Sequence, residues 1–155
     1  MKQLYVAAFT ALFLSPAAIA MAQDTAEPAP QEQLQDPAPL IAPAGETELV
    51  RFKWAARVIL VFADSPLDPS FNEQVSLLES RPDPLLERDV VVLTDTDPEA
   101  RSPIRTELRP RGFALVIVDK DGRTMLRKPD PWDVREITRA IDKTPLRQQE
   151  MESGR

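Results

Sequence analysis

Three short apolar runs constrain this chain more than any other feature. They are Arg57-Val58-Ile59-Leu60-Val61-Phe62-Ala63, Asp89-Val90-Val91-Val92-Leu93-Thr94 and Phe113-Ala114-Leu115-Val116-Ile117-Val118. Each is rich in β-branched residues and lacks the polar alternation of a half-exposed strand. Runs of this kind read as strands buried on both faces, which requires a sheet with helices on either side.

The segments between them supply those helices. Asp68-Pro69 places a capping carboxylate before a proline at the first helical position. Phe71, Val75 and Leu78 follow at i, i+4 and i+7, a single core-facing stripe, and Arg81-Pro82-Asp83-Pro84 ends it. Ser102-Pro103 opens a second, short helix in which Ile104 and Leu108 share a face, closed by Pro110. The turn Asp119-Lys120-Asp121-Gly122 hands the third strand to a fourth, Arg123 to Lys128, whose mixed polarity marks a sheet edge. Asp130-Pro131-Trp132-Asp133 caps a last helix carrying Val134, Ile137 and Ile141 on one face, with Pro145 at its end. Trp54 and Trp132 read as lids on the core.

The resulting order, β-α-β-α-β-β-α, predicts an α/β fold with a central mixed sheet of about four strands. Two parallel crossovers followed by a hairpin and a covering helix make a thioredoxin-like topology. Another small α/β sandwich is the rival. A disulfide oxidoreductase of that topology carries Cys-x-x-Cys after its first buried strand, where this chain reads Ala63-Asp64-Ser65-Pro66-Leu67-Asp68-Pro69. The chain has no cysteine, so nothing supplies a reacting thiolate. It also has no histidine, which removes the commonest metal ligand and the one side chain that titrates unperturbed near neutrality.

The ends differ from the middle. Lys2, the apolar stretch Leu4 to Leu14 and the small residues of Ala20-Met21-Ala22 read as a secretory signal peptide, residues 1–22, cut after Ala22. The apolar stretch falls short of the roughly 20 residues a membrane span needs. A periplasmic or secreted protein of 133 residues is expected, enough for one domain. Residues 23–45 contain five prolines and only acidic charges, and read as a disordered leader. The folded domain is expected over 46–147, with 148–155 as a flexible tail. The net charge of −6 becomes −7 once Lys2 is removed, which disfavours nucleic acid and anionic lipid as partners.

Several segments resemble an uncharacterised thioredoxin-like family of exported bacterial proteins, domain of unknown function 4174. They are Trp54-Ala55-Ala56-Arg57, Leu86-Glu87-Arg88-Asp89-Val90, the turn with Asp119, Asp121 and Gly122, and the closing stretch from Ile141 to Met151. That stretch, with Ile141, Asp142, Pro145, Arg147 and Glu150, is the most specific; Thr144 and Leu146 stand where the family pattern usually carries methionine. The resemblance covers roughly Leu49 to Met151 and implies a fold and an export habit but no activity, because fold alone licenses none.

Two places carry chemistry worth testing. Asp64 and Asp68 sit at the loop before the first helix, where a carboxylate pair with Arg57 or Arg88 nearby would offer acid and base for a hydrolase-like reaction. Asp68 as a helix cap and Asp64 as a turn residue is the simpler reading, and Ser65 has no local base to activate it. Asp119-x-Asp121-Gly122 is a fragment of a calcium loop whose twelfth position falls at Asp130, so turn chemistry accounts for it.

Charge forms the second place. Arg101 to Lys128 holds eight basic residues against three acidic, a local net of +5 in an acidic protein. Arg105 and Arg109 are spaced i, i+4 and, with Arg101 and Arg111, predict a basic face. A solvated surface is the ordinary use of such a face; docking an acidic periplasmic protein, or the acidic leader, is the functional one. The closing Pro145 to Glu150 fits either a structural role, with Arg147 pairing Glu150 and Leu146 on Trp132, or partner recognition. We expect a monomeric, redox-inactive binding or accessory domain without metal or cofactor, with the hydrolase as the alternative.

Overall fold

The computed structural model describes residues 40–154, and within them the three apolar runs become the middle of a five-stranded sheet. In chain order the strands are β1 (Ile41–Pro43), β2 (Arg57–Phe62), β3 (Val90–Asp95), β4 (Ala114–Val118) and β5 (Thr124–Lys128). The helices are α1 (Pro69–Ser80), α2 (Asp83–Leu86), α3 (Pro103–Leu108), α4 (Val134–Asp142) and α5 (Pro145–Glu152). Across the sheet the strands lie in the order β1-β3-β2-β4-β5.

β2 shows why both faces must be covered. Ile59 and Val61 pack with Leu78, Leu85, Val134, Ile137 and Ile141 beneath α1, α2 and α4. Val58, Leu60 and Phe62 point the other way, against Ile104 of α3 and Leu49 of a single 3-10 turn. Alternation along one strand feeds two cores, and all six residues of β2 are buried. The helix starts are local and follow the expected residues. Asp68 accepts the amides of Ser70 and Phe71, and Ser102 that of Arg105. Asp133 and Glu136 form a capping box.

Four expectations are corrected. β3 runs parallel to β2, as expected, but β4 runs antiparallel to it. The α3 helix rises only about 9 Å, against about 20 Å for a six-residue strand, and the chain re-enters the sheet from the end at which β3 left it. The sheet is mixed, as expected, and its fifth strand is Ile41–Pro43, which adds in parallel to β3. The leader expected to be disordered to Gly45 therefore contributes a strand near its end, and Ala44 is buried. The tail beyond Arg147 is helical, since Thr144 caps α5 at Arg147 and Pro145 starts that helix as well as following α4. Finally, Trp54 is exposed and is no core lid, while Trp132 is half-buried against the α4 core.

The expected signal peptide and residues 23–39 of the leader lie outside the described residues. No helix among the described residues is long and apolar enough to cross a membrane.

Candidate functional site

The loop after β2 is held by an ion pair absent from the sequence-based reading. Arg105, on α3, is buried beside Asp95 at the end of β3. Its Nη2 donates to Asp95 Oδ1 at 2.8 Å and to the Ala63 carbonyl at 2.7 Å, and its Nε donates to Asp95 Oδ1 at 3.0 Å. The guanidinium lies 5.5 Å from the centre of the Phe62 ring. Burial raises the Asp95 pKa, but hydrogen bonds from Arg105 and Ser102 outweigh it and hold the carboxyl below its usual range. One arginine thus ties the ends of β2 and β3 to α3.

This geometry assigns Asp64 and Asp68 separate partners. Asp64 is largely exposed, and its Oδ1 is 3.5 Å from Arg105 Nη1. Asp68 Oδ1 is taken by two amides of α1. Arg57 and Arg88, expected near these carboxylates, are instead at the far end of the strands: Arg57 begins β2 and Arg88 precedes β3.

At that far end the family-like segments converge. Arg57 is fully buried, with Nη1 and Nη2 donating to the two oxygens of Glu150 at 3.1 and 3.2 Å and Nη1 also to the Arg88 carbonyl. Its Nε faces Asp119 at 2.9 Å as an ion pair without hydrogen-bond alignment. Lys120 Nζ bridges Asp89 at 2.7 Å and Glu150 at 2.8 Å. Arg147 pairs with Glu150, as expected, and Arg88 grips Asp142 with two bonds of 2.8 Å. Leu146, however, joins Trp54, Asp89, Lys120 and Glu150 around a cleft of about 240 Å³.

Arg57, Arg88, Lys120 and Arg147 interlock with Asp89, Asp119, Asp142 and Glu150 in this network, and Arg88 also reaches the exposed Glu87 at 3.4 Å. Burial raises the Glu150 carboxyl, but bonds from Lys120, Arg57 and Arg147 prevail and lower it to about 2. Trp54 and Asp89 both take positive φ here, and the Trp54 amide donates to the Lys120 carbonyl at 2.7 Å. Asp119 and Asp121 also accept turn amides, and Gly122 takes the left-handed conformation that closes the hairpin.

The four arginines expected to form one basic face do not share a surface. Arg105 is withdrawn from that face by its bonds to Asp95 and Ala63, and α3 ends at Leu108, leaving Arg109 in a left-handed cap. An i, i+4 pair shares a face only while the helix continues. Arg101 is exposed just before α3. Arg109 and Arg111 instead meet Arg127 and Lys128 around an open groove of about 410 Å³ with Phe113, Ala114 and Pro129.

The hairpin brings them together, since Leu115 near the start of β4 pairs with Lys128 at the end of β5. Arg127 Nη2 is fixed to the Leu108 carbonyl at 2.7 Å, and Lys128 Nζ lies 4.2 Å over the Trp132 ring. Among the described residues, no carboxylate lines the groove. The local charge excess already contained Arg127 and Lys128; the antiparallel register that adds them to the groove was the missing piece.

Comparison with solved structures supports the architecture. The reduced 2-Cys peroxiredoxin of Plasmodium vivax matches with a TM-score of 0.50 at 20% identity, over 68% of this chain and 84% of that one. The reduced desulfothioredoxin of Desulfovibrio vulgaris Hildenborough matches with a TM-score of 0.50 at 19% identity, over 67% of this chain and 96% of that one. At such identity the likeness concerns the fold alone, which is thioredoxin-like. No curated protein matches the sequence. The model of the family described as domain of unknown function (DUF4174) matches residues 48–150, which includes the ion network from Arg57 to Glu150, and the chain belongs to that family.

Proposed function

We propose that this protein is an exported, redox-inactive binding or accessory domain that holds an acidic polypeptide in the groove of Arg109, Arg111, Arg127 and Lys128. The observation that carries this reading is four cationic side chains around one open groove that no carboxylate lines among the described residues. Such a surface attracts acidic chains at long range and gives up its grip as salt rises. The half-buried Phe113 adds an apolar floor. The absence of cysteine supports the redox-inactive part, and the Lys2 to Ala22 pattern supports export. The hydrolytic alternative draws no support from a loop in which Asp68 caps α1 and Asp64 faces Arg105.

A ten-residue polyglutamate peptide titrated into the full chain tests the reading. Binding should weaken steeply with salt, and by about tenfold or more in the R109E/R111E variant. Equal affinity in the variant and the parent overturns it. Arg105 is unsuitable for such a reversal, because its charge is part of the fold.

A further inference from the structure

The basic groove is continuous with an open sheet edge. β5 is the last strand of the sheet and pairs only with β4 among the described residues. In an antiparallel pair, alternate residues of an edge strand direct their N–H and C=O groups outward, ready to pair with another chain. The opposite edge is a poorer template, since β1 has three residues and ends in Pro43, which has no N–H. Along β5 the ladder is regular from Leu126 to Lys128 and shifts register only near the turn, between Ile117 and Val118 of its partner. The regular part is the part that runs into the groove, through Arg127, Lys128 and Pro129.

We propose that β5 binds an extended acidic segment of a partner protein by strand addition, with Arg109, Arg111 and Lys128 meeting its carboxylates. The inference rests on the groove's reading as a surface for acidic chains and specifies how the chain lies. Backbone pairing gives such a complex its affinity, and flanking side chains give it selectivity. A second copy of this chain is a poor occupant. Two β5 edges side by side would bring Arg123, Arg127 and Lys128 of each near those of the other, and facing like charges disfavour pairing. The charges that discourage self-association are those that complement an acidic strand.

The probe is an eight-residue peptide alternating Glu and Val, with two further versions N-methylated on alternate amides, one at the Glu positions and one at the Val positions. Methylation removes the donors from one edge while leaving the charge. At least one methylated version should bind about tenfold more weakly or worse, and the unmodified peptide should slow hydrogen exchange in Thr124–Lys128. Equal binding of all three peptides overturns strand addition and leaves the groove reading standing. No binding of the unmodified peptide at low salt overturns both. A dimer in sedimentation, with β5 amides protected before peptide is added, gives the edge to a second copy and also overturns the proposal.

Discussion

Arg57 and Glu150 stand 93 positions apart in the chain and meet through two hydrogen bonds of 3.1 and 3.2 Å. The guanidinium is wholly buried at the start of β2, and the carboxylate arrives on the last helix. A buried charge without its partner is costly, so α5 belongs to the folded domain although it buries no residue of its own completely.

Replacing Glu150 by Gln should therefore destabilise the protein by about 3 kcal/mol in urea unfolding, near the lower limit for breaking a buried pair because Asp119 still faces Arg57. Replacing both Arg57 and Glu150 by Met should cost less than the single change at Glu150. A Glu150→Gln variant as stable as the parent would show that α5 is not held by this pair.

The same carboxyl sets an acid limit. Its folded pKa, about 2, lies below its ordinary 4.5, so its stabilisation is complete above pH 4.5 and is lost as pH falls toward 2. That loss amounts to about 3 kcal/mol. Asp95 and Asp142 are lowered as well and add to the same acid loss. Urea midpoints measured from pH 6 to pH 2 should fall in the parent and fall less in Glu150→Gln.

Arg105 and Arg109 are predicted to part company on mutation. Arg105→Ala leaves the buried Asp95 carboxylate without its main partner and should cost about 3–5 kcal/mol. Arg109→Ala, on an exposed helix end, should stay within about 0.5 kcal/mol. Thermal unfolding of the two variants side by side checks the assignment, and equal effects would contradict it.

How far the fold could be read from residues follows from range. Caps at Asp68, Ser102 and Asp133 are decided by neighbours three residues away and were legible. So were the apolar stripes of α1 and α4 and the turn at Asp119 to Gly122. The direction of β4 was not legible, because the connection between β3 and β4, residues 96–113, is long enough for either sense of strand. β1 was hidden in a proline-rich stretch whose strand partner, β3, comes about 50 residues later. Arg57 and Arg105 each look like surface charges until strands and helices from elsewhere close around them. The groove was half visible, as an excess of positive charge whose members the hairpin register then sorted.

Gln74 teaches the same lesson and yields a further test. It sits in the buried stripe of α1, where its side chain accepts the Trp132 amide at 2.7 Å and donates to the Trp132 carbonyl at 3.0 Å. One side chain therefore satisfies both backbone groups of Trp132, two residues before α4. Gln74→Leu keeps the volume and loses both bonds, and should cost about 2 kcal/mol in urea unfolding. A neutral result would mean that water takes over those bonds.

The most direct measurement is a backbone amide NMR titration of the full chain with the polyglutamate peptide at low and high salt. The expected result is salt-sensitive shifts concentrated at Arg109, Arg111, Phe113, Arg127 and Lys128. Shifts centred on Trp54, Leu146 and Glu150, or none anywhere at low salt, would contradict the assignment of the groove.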